Sequence, residues 1–389
     1  MSSPTTVEMT HLVGDEQPLA LMNIPQGTYT SATINAGTAL VSFMNNSIVS
    51  QQTVTVGSQP VPFSSPMVVG STPVVFNFDM NMAKSVSITA GNVTVNPAFT
   101  ASMGTPGSGN PQDPENGAMH VIGSVASTSG SSFAISMMQS PQPMNFKTGS
   151  GTQFMSMGGM GMMGSNQIIS VDAVMQPDGT MLANSVQFLM NAGGSMANGM
   201  ADSITGTPAT QFTMVAQNGT GSSMMPSALS NSVTADATGA AFSVDTDGVD
   251  MSGLPFTTAA FNSSTMSPAQ RVEAISSGAM SGGGGMMGGG MMNAGTMAAS
   301  MVQLVQQAMS GTVSNLLAGS APATFTLTVP ANSAFAILTG ATTMTVYQQP
   351  GTEMRGLPGI SNNAQVQVRG LLFHNSGAYQ MVASRIMAP

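Results

Sequence analysis

The chain contains no cysteine and no tryptophan. The first absence excludes disulfides and thiolate chemistry and leaves the redox compartment unreadable. The second, with aromatic residues at only 5%, leaves few stacking platforms for sugar rings. Charge is equally scarce. Only 5% of the 389 residues are Asp, Glu, Lys or Arg, against roughly 25% in typical globular chains. Fifteen acids and six bases give a net charge of −9. Six cations spread along the chain make neither the footprint that nucleic acid needs nor a polybasic membrane anchor. No apolar run approaches the ~18 residues of a membrane span, so no transmembrane segment is expected. The opening "MSSPTTVEMTHLVGDEQ" lacks the basic-then-apolar layout of a signal peptide.

What is present suffices for buried cores. The hydrophobic fraction is 42%, whereas disordered chains are usually highly charged and poor in apolar residues. Solubility must rest on Ser, Thr, Asn, Gln and backbone groups. Such a surface has few carboxylates for acid to protonate and little charge for salt to screen. Both properties suit an exposed protein. The expected location is extracellular or in the cell envelope, with the leader absent from this sequence.

Internal repetition organises the rest. "QVQVRGLLFHNSGAYQMVASRI" (365–386) is two apolar stretches broken at His374-Asn375-Ser376-Gly377, a hairpin in which Gly supplies positive φ. "QIISVDAVMQPDGTMLANSV" (167–186) repeats it around Pro177-Asp178-Gly179. "GTMAASMV" (295–302) repeats its second half. Each hairpin has a similar approach, in 120–136, 203–219 and 310–329. Each approach shows a Gly near the start of a strand, then a polar turn, then an alternating strand carrying Phe133, Phe212 or Phe325. Five short strands in such a span suggest a small closed barrel, and closure protects edges that charge cannot guard.

The expected fold is therefore all-β: an N-terminal β-sandwich followed by three small five- to six-stranded β-barrels. The sandwich occupies 1–102, a Gly/Pro/Asn-rich linker 103–118, and the barrels 119–191, 202–307 and 308–389. The Gly/Met tract 276–295 reads as an expanded turn inside the second barrel's hairpin. "AASMVQLVQQAM" (298–309) has weak helical spacing but fits a strand better.

Two stretches resemble known families. "IPQGTYTSATI", "VVFNFDMNMAKSVSI" and "VTVNPAF" resemble the C-terminal part of an uncharacterised β-sandwich domain of bacterial envelope proteins and lipoproteins. "SGTVSN…FTLTV…TVY…AQVQVRGLL…GAYQMVASRI" and "ISVDAVMQPDGTMLANSV" resemble an uncharacterised small OB-like barrel domain, often repeated behind that sandwich. The resemblance implies fold and location but no chemistry. It also implies strands before "TTVEMTHL" that this sequence lacks. Either the chain is a fragment, or a strand from another copy completes the sandwich and builds a filament.

Candidate chemistry is thin. His11, His120 and His374 sit in separate modules, none with a carboxylate or second histidine at ligand spacing, and read as incidental. No Gly-x-Ser-x-Gly elbow is present, and no pair of acids stands out for hydrolysis. The chain is read as non-enzymatic, with no cofactor. Asp245, Asp247 and Asp250 cluster around Gly248 but lack the distal Glu of a Ca²⁺ loop. A turn is the simpler reading. The 39 methionines are the odd feature. Met155, Met157, Met160, Met162 and Met163 form one cluster; Met280, Met286, Met287, Met291 and Met292 form another. Thioethers are soft ligands for Cu(I), yet flexible Met is also a general filler and contact surface. The main expectation is a structural or adhesive protein that self-associates. The alternatives are a Met-rich Cu(I)-binding protein and, more weakly, a carbohydrate-binding module.

Overall fold

A computed structural model describes residues 7, 9, 19, 22–45, 48–106, 118–137, 143–155, 159–165, 167–191, 194–220, 233–246, 249–277, 296–319 and 322–388, with the backbone alone at 45, 48–49, 118 and 216–220. The chain divides into two compact units, one essentially 15–192 and the other 193–389.

The first unit opens with two long strands, β1 (Gly27–Asn45) and β2 (Ile48–Val69), paired antiparallel except for a bulge where Phe63–Pro66 of β2 stand opposite Thr30. The segments "GTYTSATI" and "ALVSFMN" run together in β1, and "QTVTVG" lies within β2. Next come β3 (Val75–Met80), the single-turn α1 (Met82–Ser85), β4 (Val86–Thr89), β5 (Asn92–Val95) and β6 (Phe99–Gly104). β3 pairs with β6 and β4 with β5, both antiparallel. Among the described residues, the expected sandwich region thus consists of three two-stranded sheets. β2 packs against β5 and β6, and Gln52 Oε1 accepts a hydrogen bond from Val93 N at 2.9 Å.

The unit closes with a five-stranded barrel: β7 (Ala118–Ser129), β8 (Ser132–Ser136), β9 (Met144–Met155), β10 (Ile168–Met175) and β11 (Met181–Met190). The ring order is β7-β8-β9-β11-β10 and back to β7. All pairs are antiparallel except β9 with β11. Alternation aims one residue in two inward, so Val121, Phe133, Phe146, Ile169, Val171 and Val186 fill the interior. Phe133 and Phe146 face each other in register and stack at 5.3 Å.

The second unit contains β12 (Ser195–Thr205), β13 (Gln211–Thr220), β14 (Val233–Asp236), β15 (Ala241–Val244), β16 (Arg271–Ser276), β17 (Thr296–Ala298) and β18 (Met301–Leu304), joined as one seven-stranded sheet. A second closed barrel follows: β19 (Gln307–Leu317), β20 (Ala323–Thr328), the short helix α2 (Ala334–Thr339), β21 (Thr343–Arg355), β22 (Gln365–Asn375) and β23 (Ala378–Met387). Its ring order, β19-β20-β21-β23-β22, matches that of the first barrel strand for strand. The β22–β23 hairpin expected from sequence is present, with Asn375 opposite Ala378 and both turn residues, Ser376 and Gly377, at positive φ.

Two details show the repetition at the atomic level. In the first barrel, β9 spends Gly149–Thr152 opposite a single residue of β11. In the second, β21 spends Gln349–Thr352 the same way. Each excursion is pinned by its threonine. Thr152 Oγ1 accepts from Gly149 N at 2.9 Å and donates to Ala183 O at 2.6 Å. Thr352 Oγ1 accepts from Gln349 N at 2.9 Å and donates to Ala383 O at 2.8 Å. The second detail is a close approach in the first strand. A Cβ at Gly123 would meet Ser136 O at 2.6 Å, and one at Gly311 would meet Thr328 O at 2.5 Å.

The seven-stranded sheet corrects the sequence reading in two places. Its counterpart of Gly123 and Gly311 is Gly199, since each faces the second residue of its partner strand: Ile169 of β10, Val366 of β22 and Val272 of β16. Gly206, the first glycine of the 203–219 approach, lies instead in the turn between β12 and β13 at φ 86°. The boundary drawn at 202 falls inside β12, which begins at Ser195. Likewise β19 begins at Gln307. The tract 278–295 lies outside the described residues. β17, which follows it, pairs with β14, and β16, which precedes it, pairs antiparallel with the next strand, β18.

Within the second unit the sheet and the barrel share apolar packing. Phe256 contacts Phe373 at 5.0 Å and Tyr347 at 5.7 Å between ring centroids. Leu371 and Val382 join the same cluster. Buried amides complete the joint. Gln270 Nε2 donates to Leu372 O at 2.9 Å, Gln307 Nε2 to Ala269 O at 3.0 Å, and Gln349 Nε2 to Asp250 O at 2.9 Å.

Candidate functional site

The best-defined polar cluster lies on the outer face of the first barrel. β7 and β10 pair so that His120 faces Asp172, and β10 and β11 pair so that Asp172 faces Ser185. The period of two then puts Ser170 on the same face, one step along β10. His120 Nδ1 lies 2.7 Å from Asp172 Oδ1, and His120 Nε2 lies 3.2 Å from Ser170 Oγ. Ser185 Oγ donates to the other carboxylate oxygen, Asp172 Oδ2. His120 has no carboxylate at ligand spacing in the sequence but has one in space. The partners are 52 residues apart, and strand register alone brings them together.

Burial pushes the Asp172 carboxyl upward, and that is the largest single influence. The hydrogen bond from His120, the attraction of its charge and the bond from Ser185 together outweigh it. The pKa settles below the ordinary 3.8.

Serine, histidine and aspartate stand here in the order of an acyl-transfer relay, with Asp on Nδ1 and Ser on Nε2. Their surroundings differ. Ser170 is buried, and it sits in a central strand, facing Ile122 of β7 on one side and Gln187 of β11 on the other. Its backbone belongs to the ladders, so Ser170 N–H is no free donor for an oxyanion. The hydrogen bonds of the cluster link β7, β10 and β11.

The corresponding place on the second barrel, beside the same one-residue slip, holds Arg369 facing Arg385. Arg385 Nε donates to Glu353 Oε2 at 2.5 Å, and Arg355 Nε lies 3.4 Å from Glu353 Oε1. Three of the six cations of the chain thus share one stretch of this barrel wall.

The other sequence candidates are dispersed. His11, Met157, Asp247 and Met280, Met286, Met287, Met291 and Met292 lie outside the described residues. His374 tilts against the ring of Tyr379 at 4.7 Å. Met163 is buried in the first barrel's core with Met160 packed against it, while Met155 and Met162 are exposed. Asp245 ends the parallel pairing of β15, donating its N–H to Leu304 O at 2.9 Å. Asp250 accepts from Ser252 N at 2.8 Å, a bond that holds its carboxyl below the usual range. Among the described residues, no three His, Asp or Glu side chains stand close enough to hold a metal ion. No helix among them is long and apolar enough to cross a membrane.

No protein-family model matches the chain, and no curated protein matches it. The family resemblances therefore rest on the quoted motifs alone.

Proposed function

We propose that the chain is a non-enzymatic structural or adhesive protein of the cell exterior that works by self-association. The observation that carries this reading is the β1–β2 ribbon. It pairs only with itself among the described strands, and residues 27–69 contain no charged side chain and no histidine. Two-stranded ribbons are marginal in water by themselves, and uncharged free edges invite further pairing. The buried Ser170, with its backbone held in the ladders, favours a structural over a catalytic role for the His120 cluster. The low charge fits an exposed setting where acid and salt vary. In this reading the seven-stranded sheet is a third OB-like barrel whose third strand is divided into β14 and β15, and whose fifth is divided into β17 and β18. Its parallel contacts β14–β17 and β15–β18 stand where β9 meets β11 before and after the excursion. Mass measurement of the full chain across a dilution series tests the functional reading. A larger species at high concentration is expected, and a strictly monomeric chain throughout would refute it.

A further inference from the structure

The two edges of the ribbon differ. The outer edge of β2 carries Pro60 and Pro62, which face Thr33 and Ser31 of β1. Proline has no N–H, so it occupies positions whose backbone points away from the partner strand. In an antiparallel pair, residues directly opposite share that property: either both bond to each other or both point outward. Ser31 and Thr33 therefore turn N–H and C=O to the outer edge of β1, which no other described strand pairs. β2 is blunted by these prolines, whereas β1 has nineteen residues with no proline and no charge. Proline and charge are the devices that keep exposed edges from pairing. One edge of the ribbon has the first; the other has neither.

We infer that the free edge of β1 is an interface, and that its occupant is β1 of a second copy of this chain, running antiparallel. This rests on the self-association proposed above and adds its geometry. An identical strand meets no like charge, since neither side carries any, and two antiparallel copies of one edge are self-complementary about a two-fold axis. The product is a four-stranded sheet, β2-β1-β1-β2, whose two outer edges both carry the prolines. Such an isologous contact closes at two copies. It gives dimers rather than the filament that head-to-tail exchange would build.

The test uses the full chain with Ser31→Pro and Thr33→Pro, singly and together, and Thr33→Val as a control that keeps the N–H. Proline at these positions removes an outward donor and leaves the β1–β2 bonds in place, as Pro60 and Pro62 do opposite. The wild type should sediment as a concentration-dependent dimer. The double variant should dissociate at concentrations on the order of a hundredfold higher, four edge donors being lost per dimer. Thr33→Val should behave as wild type. Circular dichroism checks that the variants fold. If they do not, amide exchange on the wild type decides, because Ser31 and Thr33 N–H should be protected at high concentration and exposed on dilution. A dimer indifferent to both prolines, or exchange that ignores concentration in a chain that associates, overturns the β1 edge and leaves self-association standing. Filaments overturn the two-fold geometry, and a wild type that stays monomeric overturns both readings.

Discussion

Alanine at Gly311 should destabilise the second barrel by about 2–3 kcal/mol, in the range of overpacked cores. The added Cβ would lie 2.5 Å from Thr328 O and 3.0 Å from both Leu327 Cγ and Cδ1. Real Cβ contacts do not fall below 3.0 Å, so about half an ångström must be found. Neither neighbour yields it easily. Thr328 O is backbone in a strand, and Leu327 is fully buried in the barrel core. Urea unfolding followed by tyrosine emission suits the measurement, because the chain has no tryptophan and Tyr347 and Tyr379 lie in this barrel. Barrel and sheet share a core, so a unit of nearly 200 residues should unfold together, and in a parallel thermal melt its midpoint should fall by about 4–12 °C. Gly319→Ala is the control. Nothing lies within 4 Å of its Cβ and its φ is not positive, so it should be neutral or gain up to about 1 kcal/mol through the unfolded state. If Gly311→Ala fell within about 0.5 kcal/mol of wild type, the close approach of the first strand would not be a packing constraint.

Asp172→Asn should cost about 1 kcal/mol at neutral pH, a modest figure because the pair with His120 is partly exposed. Asp172 has a lowered pKa in the fold, so its contribution is present above the unfolded value of 3.8 and is lost as pH falls through the lower folded value. Unfolding curves of wild type and variant should converge in that acid window, and a constant gap would contradict the assignment. Thr352→Val should lose about 1–3 kcal/mol, since it leaves Gln349 N and Ala383 O without their shared partner. Thr152→Val in the first barrel should fall in the same range if the two excursions are equivalent. Met160→Leu with Met163→Leu should change stability by less than about 1.5 kcal/mol and leave competition with a Cu(I) chelator unchanged. Weakened copper binding would revive the thioether reading.

Local grammar carried much of the fold. The alternation around Phe133, Phe212 and Phe325 put all three rings in buried positions, and the Asn-Ser-Gly and Pro-Asp-Gly turns formed where expected. Pairings decided at long range were hidden. Nothing near "HVIG" announces that His120 faces Asp172, because strand order and register set that contact. The polar positions alternating in "IISVDAV" were the available signal, showing a strand with a polar outer row. Helix α2 was also legible in principle. Ser333 caps its first turn, accepting from Ala336 N at 3.2 Å, and Gly340 ends it in the left-handed conformation. The segment is too short for periodicity to register.

The aromatic joint in the second unit bears on how such a chain can be rearranged. Where the second barrel presents Leu371 and Phe373 to Phe256, the first barrel has Val174 and Gln176 at the matching register. The barrels share a blueprint inside but have different outer walls. Exchanging them would set a glutamine amide against Phe256 and take Phe373 away from its aromatic partner. Duplication can copy the interior of such a module freely, while the outer wall fits each copy to its own neighbours.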